Sequence, residues 1–87
     1  MNASVELSYY PLKEDFIAPI KDFIRRLNEH KNLKVVTNGM STQVFGEYFE
    51  VMEILTKEIH YSSALPYSVF VLKIVNTDLR DYEAEVG

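Results

Sequence analysis

Leu33-Lys34-Val35-Val36-Thr37-Asn38-Gly39-Met40-Ser41-Thr42-Gln43-Val44-Phe45 is the stretch from which the fold of this chain can be read. Two strand-like runs, Leu33 to Thr37 and Met40 to Phe45, flank Asn38-Gly39. Asn-Gly between such runs is a strong hairpin signal, because a type I′ turn needs two residues at positive φ and this pair adopts it readily. A two-residue loop then sets Thr37 opposite Met40, Val35 opposite Thr42 and Leu33 opposite Val44. These six share one face of the hairpin. Val36, Ser41, Gln43 and Phe45 share the other, since side chains alternate along a strand.

Upstream of the hairpin lies a helical pattern. Phe16, Ile17, Ile20, Phe23, Ile24 and Leu27 repeat at the 3.6-residue period of an amphipathic helix that ends near His30. Asp15 is placed to cap its first turn, and Pro19 is tolerable only inside that turn. Before the helix, Val5, Leu7 and Tyr9 alternate with Glu6, Ser8 and Tyr10, as in a half-buried strand, and Pro11 ends it.

Downstream, Tyr48, Val51, Met52, Leu55 and Ile59 mark a second helix. Glu47 and Glu50 sit in its first turn, where negative charge suits the dipole. Gly46 at the junction offers backbone freedom. After Pro66, Tyr67 to Asn76 is strand-like, with Phe70, Leu72 and Ile74 on one face and Val69, Val71 and Val75 on the other. Asp78 to Gly87 is an acidic tail expected to fray.

The order is therefore β-α-β-β-α-β. This predicts an α+β, ferredoxin-like sandwich: a four-stranded antiparallel sheet in the spatial order 4-1-3-2, with both helices on one face. The last strand falls at an edge although it is apolar on both faces. The open face would also show Tyr10, Val36 and Phe45. A patch of that kind on a small chain predicts a homodimer through the open sheet face.

The 87 residues make a single domain, residues 1–87. A chain of this size buries only roughly 60–65% of the surface its unfolded form exposes, so a partner chain would help stabilise it. The absence of cysteine removes disulfides, thiolate catalysis and Cys-based zinc sites. The longest apolar run, Val69 to Leu72, is too short to cross a bilayer, and Met1-Asn2-Ala3-Ser4 runs straight into strand-like sequence. A cytoplasmic protein that binds neither membrane nor nucleic acid is expected. The net charge of −4 and the lack of a basic stripe agree with that, and favour a cationic or neutral ligand.

No catalytic, metal or cofactor signature is present among the familiar motifs. His30 would meet the dipole of the first helix at its end, and His60 would sit on the surface of the second. Six tyrosines are many for this length. Tyr9, Tyr10, Tyr48 and Tyr61 could flank a planar ligand, or simply pack. Thr42 points toward the helices among Leu33, Val35 and Val44. Its hydroxyl must either bond backbone or line a small pocket between sheet and helix. Ser41 and Gln43 point to the open face.

Two segments carry a resemblance. Tyr10-Pro11-Leu12-Lys13-Glu14-Asp15-Phe16-Ile17-Ala18-Pro19-Ile20-Lys21 and Met40-Ser41-Thr42-Gln43-Val44-Phe45-Gly46 resemble the YkoF-like thiamine/hydroxymethylpyrimidine-binding proteins. They are more distantly similar to small single-domain thiamine-binding relatives. In that family a strand ending in Tyr-Pro leads to an Asp-Phe-Ile helix start, and a Ser-Thr pair opens the third strand. The resemblance runs from Ser4 to about Asn76. It implies non-catalytic binding of thiamine or its pyrimidine precursor, in salvage or transport, by paired domains and without a cofactor.

An aminopyrimidine offers ring-nitrogen acceptors and an amine donor, and a thiazolium is a flat cation. Thr42 and Ser41 are thus the expected hydrogen-bonding residues and Tyr10 the stacking one. Asp15 would accept from the amine or offset the positive charge, with Asn38 and Tyr48 as further candidates. Two other classes remain open: a small dimeric ferredoxin-like enzyme with an acid/base pair in the sheet–helix cleft, and an interaction or regulatory module with no ligand-sized pocket.

Overall fold

A computed structural model describes residues 1–82. The elements are β1 (Asn2–Pro11), α1 (Ile17–Asn28), β2 (Lys34–Thr37), β3 (Thr42–Glu47), α2 (Tyr48–Ser62) and β4 (Ser68–Val75). The strands form one four-stranded sheet in the order β2-β3-β1-β4, with every neighbouring pair antiparallel. This is the ferredoxin-like order expected from the sequence.

The alternation in β1 places Val5, Leu7 and Tyr9 under the helices. With Phe23 and Leu27 of α1, Val44 of β3, and Val51, Ile54 and Leu55 of α2, they form the core. Ile20, Leu33, Val35, Ile59, Phe70 and Leu72 pack around it.

Helix α1 starts one residue later than expected. Phe16 is the N-cap, in a helical backbone conformation and without a side-chain cap bond, so Asp15 does not cap the helix. Pro19 explains the shift. A cap at Asp15 would make Pro19 the first residue whose N–H should donate within the helix. With Phe16 as cap, Pro19 falls one position earlier, where its missing N–H costs nothing. Phe16 and Ile17, the first members of the apolar stripe, remain exposed beyond the sheet.

The hairpin register differs from the expectation by two residues. Thr37 pairs with Thr42 and Val35 with Val44. The reversal is centred on Gly39-Met40, and no described residue has positive φ, so this is not a type I′ turn. Asn38 builds the turn instead. Its N–H donates to the Ser41 carbonyl (3.0 Å), and its side-chain oxygen accepts from the N–H groups of Met40 (2.8 Å) and Ser41 (3.1 Å). Asparagine imitating a backbone carbonyl in this way is an Asx turn, which competes with the Asn-Gly geometry. A slip of two keeps side-chain parity, so Thr42 still faces the helices.

Helix α2 is capped by Glu47, whose carboxylate accepts from the N–H groups of Phe49 and Glu50. Gly46 proves to be a matter of space rather than backbone freedom. A Cβ there would stand 3.0 Å from Leu33 Cδ2 and 3.1 Å from Val51 Cγ2.

On the open face, the row Phe45–Ser4–Val75 is crossed by the segment after β4. The Ser4 hydroxyl donates to the Thr77 carbonyl (2.7 Å) and accepts from the Leu79 N–H (2.8 Å). The Arg80 guanidinium lies 5.9 Å from the Phe45 ring centre. The expected exposure of Phe45 is therefore corrected: it is buried, at 5%. The described start of the tail is thus held against the sheet, and the rest of the expected frayed segment, 83–87, lies outside the described residues.

Candidate functional site

Three segments meet at the end of the sheet where β1 finishes: residues 12–16 leading into α1, the 38–41 hairpin, and the loop before β4. Between β1, the hairpin and one flank of α1 lies a groove of about 200 Å³. Its lining includes Leu7, Tyr10, Ile20, Phe23, Thr37 and Thr42.

Thr42 stands at the groove's sheet side. It is only 5% exposed, and its Oγ1 lies 3.0 Å from Thr37 Oγ1. Its bonding partner is thus another side chain, neither of the two readings of Thr42 taken alone: the hydroxyl lines a groove and bonds a second hydroxyl that also lines it. Each hydroxyl has one proton and two lone pairs, so the pair retains a donor and acceptors for a further partner. Thr37 is the site residue that sequence reasoning passed over. The signal for it was present, because it shares the Thr42 face.

The other candidate residues separate. Asn38 lines the groove through the turn it builds. Ser41 also borders it, but its hydroxyl points to the opposite side of the sheet from Thr42 and donates to Glu6 Oε2 (3.1 Å). Glu6 accepts from Lys73 Nζ as well (3.2 Å), and these two bonds hold its carboxyl below the usual carboxylate range. Tyr10 is half exposed at the rim. Asp15 is exposed in the segment before α1 and is not part of the lining. Tyr48 lies at the far end of the molecule. Its N–H donates to the Met1 carbonyl (2.9 Å) and its ring meets Phe49 edge-on.

A second, wider groove of about 640 Å³ runs between the other flank of α1 and the end of α2. Its lining includes Asp22, His60 and Arg26, and Arg26 joins the helices. Arg26 donates to Asp22 Oδ2 (3.0 Å), to the Glu58 carbonyl (3.3 Å), to Glu58 Oε1 and to Ser62 Oγ, and its guanidinium sits 4.4 Å from the Tyr61 ring centre. Glu58 Oε2 in turn lies 2.8 Å from His30 Nε2. His30 therefore bridges to α2 rather than capping its own helix. Burial works against the charged form of Glu58, but the bonds from His30 and Arg26 outweigh it and hold its carboxyl below the ordinary glutamate range. With most of its donors committed, Arg26 acts as a clamp between helices.

No protein-family profile matches the chain, and no curated protein matches it. Solved structures do. A protein from Streptococcus pneumoniae is 26% identical, with a TM-score of 0.83 over 91% of this chain and 90% of that one. A Thermotoga maritima protein, named a "putative thiamine biosynthesis/salvage protein", is 21% identical, with a TM-score of 0.80 over 88% of this chain and 85% of the other. A hypothetical protein from Methanocaldococcus jannascii is 24% identical, with a TM-score of 0.75 over 98% and 88%. These likenesses show the fold.

Proposed function

We propose that this chain is a relative of the YkoF-like proteins and binds the aminopyrimidine of thiamine, or its free hydroxymethylpyrimidine precursor, without catalysis. The observation that carries this reading is the groove at the hairpin end, with a hydroxyl pair on its sheet side and apolar and aromatic groups around it. An aminopyrimidine edge presents acceptors and a donor, which the Thr37–Thr42 pair can meet. Phe23 and Ile20 supply apolar contact and Asn38 and Ser41 border the mouth; Tyr10 borders it too, but the alternation of β1 turns its ring to the open face beside Val69. Asp15 would act at longer range, by charge. The described lining has no carboxylate or imidazole, and its titratable groups are the phenols of Tyr9 and Tyr10.

Size favours one ring over two. Sites for drug-sized ligands run to roughly 300–1,000 Å³, and this groove has about 200 Å³. The name of the Thermotoga maritima structure supports the ligand class. Salvage or delivery of the pyrimidine is the role that such binding would serve.

A homodimer completes the proposal. Tyr10, Val69 and Val71 leave an exposed apolar area on the open face, away from the segment that covers Phe45, and Val36 is exposed on β2 level with Gln43.

The test is a thermal shift with hydroxymethylpyrimidine and with thiamine. Ligand at a hundred times its dissociation constant stabilises by about 2.7 kcal/mol, which for a domain of this size raises Tm by upwards of about 10 °C. Thr42→Val, which removes the hydroxyl and keeps the shape, should abolish the shift while lowering intrinsic stability by only about 1 kcal/mol. An unchanged Tm with both compounds would overturn the reading.

A further inference from the structure

Tyr9 borders both grooves. The hairpin-end groove uses Ile20, Phe23 and Ile24 on one flank of α1, and the wider groove uses Pro19, Asp22 and Arg26 on the other. Tyr9 projects from β1 toward the helices at the place between them, and it is itself buried.

Three contacts fix its ring. It stacks on Phe70 at 4.2 Å between ring centres, with an interplanar angle of 12°. It meets Phe23 edge-on at 5.6 Å. Its hydroxyl lies 3.0 Å from Ser68 Oγ. The single proton of Ser68 has backbone carbonyls to go to, Leu65 at 2.7 Å and Ser62 at 3.2 Å, which leaves Tyr9 to donate to Ser68. A ring held by stacking, an edge contact and a hydrogen bond does not swing aside at little cost.

We propose that Tyr9 sets the length of ligand that the hairpin-end groove accepts. This rests on the binding function assigned above. The groove of about 200 Å³ takes one ring because the Tyr9 side chain separates it from the groove of about 640 Å³. Removing the distal part of that ring joins the two spaces beneath α1. A second ring attached to the first then has somewhere to go.

The variant that tests this is Tyr9→Leu, which keeps an apolar side chain but gives up the ring. Tyr9→Phe keeps the ring and loses only the hydroxyl. Affinities for hydroxymethylpyrimidine and for thiamine are measured by titration calorimetry on the wild type and both variants. The wild type should prefer the single ring. Tyr9→Leu should shift the ratio of affinities toward thiamine by at least tenfold, and Tyr9→Phe should keep the wild-type ratio. An unchanged ratio in Tyr9→Leu overturns the proposal.

Two measurements stand apart from these affinities. A crystal structure of Tyr9→Leu without ligand should show one continuous cavity, and two separate grooves would overturn the proposal even if pyrimidine binding failed. On the wild type, thiamine should perturb amide NMR signals around Thr37 to Thr42 and leave those of Tyr61 to Leu65 in place. Perturbation of both sets would overturn it if Tyr9→Leu does not fold. Loss of all ligand binding by the wild type, with a merged cavity in the variant, would sink the ligand assignment and leave the partition standing.

Discussion

Glu58 shows how a single carboxylate can tie two helices together in a thin core. It is mostly buried and receives Arg26 and His30 from the α1 side. Because its pKa is lowered in the folded state, it contributes stability above the unfolded value. That contribution is lost as the pH falls through the folded value. The ordinary glutamate value is 4.5, so the window lies below about pH 4.5. Glu58→Gln should therefore be less stable than the wild type at pH 7, and the difference should narrow as the pH drops through that window. Urea denaturation at pH 7 and pH 3.5 would measure it. A difference that stays constant with pH would mean that the charge of Glu58 is not what matters.

Gly46 lies beside the junction of β3 and α2. At the junction, Ala at position 46 gains a little from reduced chain freedom, roughly 0.5–1 kcal/mol. Its Cβ must displace Leu33 and Val51, which lie at 3.0 and 3.1 Å, and overpacking of this kind costs about 1–3 kcal/mol. Gly46→Ala should thus lower the urea midpoint, and a raised midpoint would show that Leu33 yields freely. Periodicity made the elements and their faces legible, because parity in a strand survives a slip of two: Thr42 kept its face although its partner changed from Val35 to Thr37. The turn was not legible, since Asn38 serves both Asn-Gly and Asx geometries and the choice is made by its side-chain amide. Nor was the clamp. Asp22 and Arg26 are four apart on one helix, but Glu58 and Ser62 reach Arg26 only through the packing of α1 on α2. Of the candidate site, Thr42 and Asn38 could be placed from register. Tyr48 could have been set apart from them in the same way, because the direction of β3 carries it to the opposite end.

At the scale of the molecule, the open face is divided. One end is covered by the segment from Thr77 to Arg80, a Gln43–Glu6–Lys73 row crosses the middle, and Val71, Val69 and Tyr10 are exposed at the other end. A dimer through this face would bury the apolar end. Val71 is 58% exposed and central to it. In sedimentation equilibrium the wild type should run as a dimer at micromolar concentration, and Val71→Lys, which sets like charges against each other across a two-fold, should run as a monomer. A wild type that is monomeric throughout would remove the partner chain from the proposal. Ligand binding itself would stand, since every residue assigned to the groove belongs to one chain.

The central claim is that the hairpin-end groove holds an aminopyrimidine. A crystal structure of the protein soaked with hydroxymethylpyrimidine tests it most directly. The ring should lie between α1 and the hairpin, with a ring nitrogen or the amine within hydrogen-bonding distance of Thr42 Oγ1 or Thr37 Oγ1. A ring bound in the groove between α1 and α2, or anywhere away from that hydroxyl pair, would contradict the account.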